Sequence, residues 1–385
     1  MWDISEQDLG SISTGAAILG AGGGGNPYIG HLRVRETLRS GKRIRVIPPG
    51  DLADDDLVAV CGGMGSPVVA YEKLAQGNEE FAALREIEKI LGRRVDAVAP
   101  FEMGGGNSMA PMVVAATAGV PLVDGDGMGR AFPELQMTTY MIYGAPQCPS
   151  AIADERGNRL VFTAVAESRW LERMARAVTV SMGGHAGVAT TPMSGAFCRR
   201  VIIPGTLTLA RDIGMAVEEA IRSKSEACDA VLAVTKGCRY LRGKVVDVER
   251  QNTKGFARGS LTLEGTGSDS GRRVRIDFQN ENLVLWEDDD ARATVPDLIT
   301  LITTDRGEPL TTELVTYGCR ADVLVLPCAD LLRTEQALSV VGPRCFGFDL
   351  DPVLLGAPWG FGVTERVEHH AAPRHSSVDG ESGVT

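Results

Sequence analysis

The sequence lacks the features on which membrane, secreted and nucleic-acid-binding proteins depend. No uncharged apolar run reaches the roughly 18 residues that a membrane-spanning helix needs, so none is predicted. Lysine and arginine form no dense run and the formal net charge is −11, so we expect no nucleic-acid partner and no membrane partner. The N-terminal stretch MWDISEQDLG has no basic segment typical of a signal peptide, which predicts a cytoplasmic protein.

Cysteine and histidine show none of the spacings typical of metal sites. The eight cysteines contain no C-x-x-C pair and are expected to be reduced thiols. Cys61 and Cys328 follow apolar runs and are candidate nucleophiles, although most free cysteines are buried apolar residues. Of the five histidines, only His185 lies in an internal glycine-rich loop, and a packing histidine is the alternative there.

A glycine-rich segment, ILGAGGGGNPYIG at residues 18–30, contains the spacing G-x-G-x-x-G. The stretch before it has helical periodicity, and Asn26 and Pro27 are typical of the start of another helix. A dinucleotide fold instead needs a preceding strand and a later acidic residue for the ribose, which RIRVIPPG does not supply. We therefore disfavour an NAD-dependent oxidoreductase. Anion or substrate binding by Gly22, Gly23, Gly24, Gly25 and Asn26 remains open, beside a tight helix crossing.

Alternating strands and helices follow, which predicts a doubly wound α/β domain. The predicted strands are 56–61, 94–100 and 120–126, with helices over 72–92 and 108–119. Three glycine-rich loops, 61–67, 101–108 and 124–137, would meet at the carboxyl edge of that sheet, where ligands bind. The polar residues that they carry are Glu102, Asn107, Asp124, Asp126, Arg130 and Glu134. Tight turns and helix caps are the simpler explanation for each residue taken singly.

These residues offer carboxylate and amide chemistry. Paired carboxyl groups can serve as acid and base when their surroundings separate their pKa values. No cofactor is assigned, and a divalent metal ion on Asp124 and Asp126 stays an open alternative. The sequence contains neither H-E-x-x-H nor an EF-hand pattern.

Short alternating runs after about residue 165 predict a β-rich α+β domain. We expect an α/β domain over 1–165, the β-rich domain over 166–360 and a disordered tail over 361–385. Residues 178–196 are predicted to be a strand running into a glycine loop that carries His185. The run FQNENLVLW is predicted as one strand whose Asn280 and Asn282 form a polar face or a bulge.

Six segments together resemble the S-methyl thiohydantoin desulfurase family, which is related to hydantoinase/oxoprolinase proteins. They are ILGAGGGGNPYIG, FEMGGGNS, PLVDGDGMGRAFPELQM, FQNENLVLW, VPDLI and VGPRCFGFD, and the resemblance runs from about residue 5 to 350. It implies an α/β domain followed by a β-rich domain. It also implies hydrolytic removal of a thiol or sulfide from C2 of a five-membered imidazolidinone ring, which gives a hydantoin.

Site roles follow from that chemistry rather than from the resemblance. Water needs a base, for which Glu102, Asp124 and Asp126 compete, and His185 or Glu134 would supply a proton. Asn107, Asn280 and Asn282 would bind the ring, and Arg130 or the glycine loop would hold a propionate. Open alternatives are a hydrolase of another hydantoin- or oxoproline-like cyclic amide and a non-catalytic subunit of a hydantoinase complex. The expected partner is a small molecule, and a homo-oligomer is expected on base rates alone.

Overall fold

The computed structural model describes residues 1–66, 69, 72–253 and 256–356. The predicted disordered tail, residues 361–385, lies outside the described residues. The strands are β1 (Trp2–Asp3), β2 (Arg45–Ile47), β3 (Leu57–Gly65), β4 (Ala97–Pro100), β5 (Leu122–Val123), β6 (Gly125–Asp126), β7 (Ser150–Ala153), β8 (Arg159–Phe162), β9 (His185–Ser194), β10 (Ile203–Pro204), β11 (Cys238–Thr253), β12 (Phe256–Gly265), β13 (Arg273–Gln279), β14 (Glu281–Glu287), β15 (Asp290–Thr294), β16 (Leu298–Thr303) and β17 (Arg320–Leu326).

The α-helices of the described residues alternate with strands in the first half of the chain. They are Asp8–Leu19, Tyr28–Arg39, Glu79–Leu91, Ala110–Ala118, Thr139–Ile142, Ser168–Ser181, Gly195–Val201, Thr206–Ser223, Ala227–Thr235 and Glu335–Val341. The helices Glu79–Leu91 and Ala110–Ala118 end at Gly92 and Gly119, which adopt the left-handed conformation that glycine accepts at a helix end.

The first sheet has eight strands in the order β1-β2-β5-β4-β3-β9-β7-β8. The strands β2, β5, β4 and β3 are parallel. Beyond β3 the sheet continues with antiparallel pairs, β3 with β9, β9 with β7 and β7 with β8. Along β3, Ala59 and Cys61 enter one apolar core while Val58 and Val60 enter another. Cores on both faces mean that helices cover both sides, which confirms the α/β prediction.

The second large sheet is antiparallel, in the order β15-β14-β13-β12-β11-β17-β16. It confirms the predicted β-rich domain. The strand β9 lies beyond the boundary expected near residue 165 and nevertheless belongs to the first sheet. The position of the boundary stays a prediction.

Four element predictions, including that for FQNENLVLW, need correction. The helix Ser168–Ser181 continues into the run taken for a strand, because Leu171, Ala175 and Thr179 recur every four residues and are buried. His185 therefore begins β9 instead of lying in a loop after a strand. The loop predicted to start at residue 61 is strand as far as Gly65, and the helix predicted from 72 begins at Glu79.

The run FQNENLVLW is a hairpin rather than one strand. Gln279 of β13 pairs with Glu281 of β14, and Asn280 alone makes the turn with φ +58°. Asparagine tolerates this left-handed conformation better than most residues. The Asn280 side chain also accepts a hydrogen bond from the Ala257 amide at 2.9 Å, which ties the turn to β12.

Candidate functional site

A cavity of about 190 Å³ lies between the first sheet and the β13–β14 hairpin. All three predicted glycine-rich segments contribute to it, through Gly63 to Gly65, Glu102 with Asn107, and Phe132 with Glu134. Its lining also includes Gly24, Gly25, Asn26, Ile29, Gly30, Arg33, Lys73, Ala75, Glu79, Glu80, Phe101, Gly106, Ala110, Met128, Pro133, Leu135, Glu155, Arg176, His185, Asn280 and Glu281.

The glycine-rich segment that precedes Asn26 joins the two sheets. The Asn282 amide donates to Ala21 O and the Thr312 amide to Gly22 O, both at 2.8 Å. Gly22 and Gly23 thus pack against the β14 side, whereas the three residues that follow them, Gly24, Gly25 and Asn26, line the cavity. The segment connects two helices, as the sequence predicts, and not a strand to a helix.

Glu102, which is buried, pairs with the half-buried Asn107, and β3 positions the pair. The Asn107 side chain donates to Glu102 Oε1 at 2.9 Å, accepts from the Gly63 amide at 2.7 Å and donates to Gly63 O at 3.1 Å. The other Glu102 oxygen accepts from the Phe132 amide at 3.1 Å. Burial raises the pKa of Glu102 to about 8, although these two donors favour its ionised form. The amide of Asn107 is therefore engaged in holding Glu102.

Glu281 is a second buried carboxyl group in the cavity wall, and the sequence analysis missed it. Its side chain lies on the backbone of Gly23, and the residue is 2% exposed. Among the described residues, Glu281 Oε2 has no hydrogen-bond partner. Burial raises the pKa of Glu281 well above its usual range, and the nearby charge of Glu102 adds to the increase. The adjacent polar run N-E-N was the available signal for this site.

His185 and an ion pair form another part of the wall. Arg33 donates to both carboxylate oxygens of Glu80, at 3.0 and 2.8 Å. Burial lowers the pKa of His185 below its usual value, although the charge of Glu80 opposes that effect. His185 is therefore mostly neutral at pH 7. Sequence reasoning missed Arg33 and Glu80 because each lies within an ordinary amphipathic helix.

Two predicted catalytic carboxylates do not reach the cavity, which corrects their assignment. Asp124 accepts from the amide of Thr208 at 3.1 Å and from its hydroxyl, so it caps the helix Thr206–Ser223. Asp126 is fully buried and accepts from the amides of Met103 and Gly129. Burial raises the pKa of Asp126 to about 7. Both residues shape the loops beside Glu102 without lining the cavity.

Arg130 and Asn282 are also absent from the cavity wall. The Arg130 guanidinium is fully buried and donates to four carbonyl oxygens, those of Ala131, Asn282, Pro296 and Asp297. Burial lowers the pKa of Arg130 to about 10. The side chain of Asn282 donates to Ile299 O at 2.9 Å. Arg130 thus links the two domains, and its guanidinium, which lies outside the cavity wall, is not placed to hold a substrate carboxylate there.

Three other predicted residues line the cavity and also form hydrogen bonds within the protein. Glu134 accepts a hydrogen bond from the side chain of Gln136. Asn26 Oδ1 accepts from the Tyr28 amide at 2.8 Å and so caps the following helix. Asn280 O accepts from the Thr312 hydroxyl at 2.7 Å.

The two candidate cysteine nucleophiles are buried outside the cavity wall. Cys61 belongs to β3, and its side chain lies in an apolar core against the first sheet. Cys328 is 1% exposed, and its amide donates a hydrogen bond to Asp297. Burial raises the pKa of both thiols far above the usual range. Their positions do not support a thiolate nucleophile.

Within the described residues, no group of three histidine, cysteine, aspartate or glutamate side chains is placed to hold a metal ion. In the same part of the chain, no helix is both long and apolar enough to cross a membrane.

Comparison with known proteins identifies the family. The N-terminal domain of S-Me-THD-like proteins matches residues 7–164, and the C-terminal domain of the same proteins matches residues 166–355. The chain belongs to the S-Me-THD-like family. Both matched regions of this S-Me-THD-like chain build the cavity: Glu102 and Asn107 come from the first, and His185, Asn280 and Glu281 from the second.

One solved structure is similar over nearly the whole chain. A protein from Chromobacterium violaceum, known from an X-ray crystal structure, superposes with a TM-score of 0.75 and is 25% identical. The match covers 92% of this chain and 100% of that one. Among curated proteins, none matches the sequence.

Proposed function

We propose that this chain hydrolyses the bond between C2 and sulfur in a thiohydantoin or an S-methyl thiohydantoin. Membership of the S-Me-THD-like family is consistent with a thiohydantoin-related function. The observation that carries the proposal is the presence of two buried carboxyl groups, Glu102 and Glu281, with different hydrogen-bonding in one cavity.

The reaction needs a base and an acid at the same carbon. Water loses one proton to the base as its oxygen bonds to C2, and the departing sulfur gains one from the acid as the C2–sulfur bond breaks. The second proton of water passes to the ring nitrogen of an S-methyl thiohydantoin, or to the sulfur of an unmethylated ring, as C2 becomes a carbonyl. The products are a hydantoin and a thiol, or hydrogen sulfide from the unmethylated ring. A pair of carboxyl groups can perform both proton transfers if one is ionised and the other is neutral.

The surroundings of the two carboxyl groups favour opposite protonation states. Two donors contact Glu102, whereas Glu281 Oε2 has no partner among the described residues. Glu102 is therefore the group that ionises first and acts as the base. Glu281 stays protonated and supplies the proton to sulfur.

The shape of the cavity suits a small planar ring. Phe101 and Phe132 contribute aromatic walls, and Gly24, Gly25 and Gly106 leave the backbone uncovered by side chains. A ring bound there would lie between the N-terminal domain with Glu102 and the hairpin with Glu281.

The test is release of thiol by purified protein. An S-methyl thiohydantoin should release methanethiol with the native chain. The rate should fall by roughly 100-fold or more in Glu102→Gln, because a general base contributes about that much. An equal rate in a folded Glu102→Gln variant would contradict the proposal.

A further inference from the structure

Asp126 and the residue after it hold the backbone on both sides of Glu102. The side chain of Asp126 accepts a hydrogen bond from the amide of Met103, which belongs to the peptide that follows Glu102. The amide of Gly127 donates to Phe101 O at 3.0 Å, on the other side of Glu102. Glu102 is thus the one residue between two hydrogen bonds that begin at residues 126 and 127.

Asp126 also closes the turn that brings a second donor to Glu102. The Gly129 amide donates to both carboxylate oxygens of Asp126 at 3.0 Å. Three residues further on, the Phe132 amide donates to Glu102 Oε2 at 3.1 Å. Asp126 has no exposed surface, so one buried side chain connects both backbone segments that contact Glu102.

The charged groups around Glu102 have different effects on it. Burial is the main cause of the raised pKa of Glu102, the negative charge of Asp126 adds to the increase, and the positive charge of Arg130 opposes it. Glu281 faces Glu102 from the hairpin but stays protonated, because burial raises its pKa well above the usual range. Tyr140 faces Asp126 and is uncharged for the same reason. Asp126 is therefore the negative charge that is present when Glu102 ionises.

The charge of Asp126 has a consequence for proton transfer. A carboxylate that binds its proton more tightly is a stronger base, and a general base works best when its pKa lies near the working pH. A like charge held close by in a buried site strengthens the base in this way.

We propose that Asp126 is a positioning residue for the base, because it holds the two segments that orient Glu102 and its charge makes Glu102 a stronger base. The inference rests on the proposed function for the role of Glu102. It deepens that proposal by naming the group that sets the pH at which the site works. Asp126 lies outside the cavity wall and acts through Glu102, so it is not the base that the sequence suggested.

Carbon-13 NMR of the native chain, labelled at the carboxyl carbons of glutamate, tests the coupling without any substrate. The Glu102 signal is identified by its absence in Glu102→Gln. Its titration should require two ionisations to fit, one where Asp126 ionises and one where Glu102 does. This measurement needs no variant of Asp126. A Glu102 signal that follows a single ionisation would overturn the proposal.

Asp126→Asn tests the same relationship by removing the charge. The midpoint of the Glu102 titration should move downward by roughly one pH unit, because a like charge is lost. Asp124→Asn is the matched control, since Asp124 accepts from the Thr208 amide and holds the start of a helix instead. It should leave the midpoint in place. An unmoved midpoint in folded Asp126→Asn, or equal shifts in both variants, would overturn the proposal.

Thiol release from an S-methyl thiohydantoin separates this inference from the proposed function. In Asp126→Asn, the ratio of kcat/KM at pH 7 to that at pH 9 should rise by roughly threefold or more, because more of Glu102 is ionised at pH 7. A moved midpoint without thiol release by the native chain would contradict the desulfurase proposal and uphold the action of Asp126 on Glu102. Release with the same pH dependence in both proteins would uphold the desulfurase and overturn the role of Asp126.

Discussion

The side chain of Glu281 lies directly on the backbone of Gly23. A methyl group added to Gly23 would stand 2.5 Å from Cγ and 2.6 Å from Cδ of Glu281. Because real carbon atoms do not approach so closely, only glycine allows the carboxyl group its place in the cavity. The glycine-rich segment thus positions an acidic group from the other domain.

Gly23→Ala should displace Glu281 and slow the reaction. A misplaced acid at the reacting carbon costs on the order of 100-fold in rate, so kcat should fall by about that factor. The matched control is Gly50→Ala, where an added methyl group meets no atom within 4 Å. Equal rates in the two folded variants would argue against a role for Glu281.

The rate should rise with pH through a value near 8. Glu102 acts when it is ionised, and burial raises its pKa to about 8, so only about a tenth of it is ionised at pH 7. A profile of kcat/KM against pH should show this rise in rate, and the rise should be absent in Glu102→Gln. At still higher pH the rate should fall as Glu281 loses its proton. A rate independent of pH between 6 and 9 would contradict these assignments.

The raised pKa of Glu281 also predicts a stability effect. A carboxyl group whose folded pKa exceeds its unfolded value stabilises the fold fully at low pH, and that contribution is lost as pH rises through the folded pKa. Glu281→Gln removes this loss. Subtracting the native chain's free energy of unfolding from the variant's should therefore give a larger value at pH 9 than at pH 5. Urea denaturation at the two pH values measures this difference. Glu264→Gln, which changes an exposed side chain, should show no such difference between the two pH values.

Arg130 should matter for stability rather than for substrate recognition. Arg130→Met leaves four buried carbonyl groups without their donor, which should lower the free energy of unfolding by roughly 2–4 kcal/mol. Urea denaturation measures this loss. At a temperature where the variant is folded, KM should stay within about twofold. A large increase in KM without loss of stability would restore Arg130 as a substrate-binding residue.

Cys61 and Cys328 should be dispensable for the chemistry. Both thiols are buried away from the cavity wall, and burial raises their pKa values. Cys61→Ala and Cys328→Ala should retain kcat within about threefold where they fold, and a thiol reagent should not inactivate the native protein through them. Loss of turnover in a stable variant would instead indicate a cysteine nucleophile.

Local pattern predicted much of the fold and of the cavity wall. Periodicity predicts the helices on both sides of Gly20 to Gly25 and the strands that begin near Leu57 and end at Pro100. The contribution of Glu102 and Asn107 follows from the meeting of parallel strand ends. These features depend on residues close together in the chain.

Contacts between distant segments could not be predicted in this way. Nothing near Gly23 indicates that Glu281 will pack on it, and nothing near Arg33 indicates the ion pair with Glu80. Asp124 and Asp126 resemble catalytic carboxylates until their partners are known, because a capping or loop-stabilising carboxylate has the same local sequence. The sequence pattern predicts Asn280 within a strand, because nothing in the pattern marks the single left-handed residue that turns the chain.

Thiol release from an S-methyl thiohydantoin, compared between the native chain and Glu102→Gln, tests the central proposal most directly. We expect steady release of methanethiol with the native chain at pH 8 and at least a roughly 100-fold slower release with the variant. Absence of release by the folded native chain, or equal release by both proteins, would contradict the assignment of Glu102 as the base of a desulfurase.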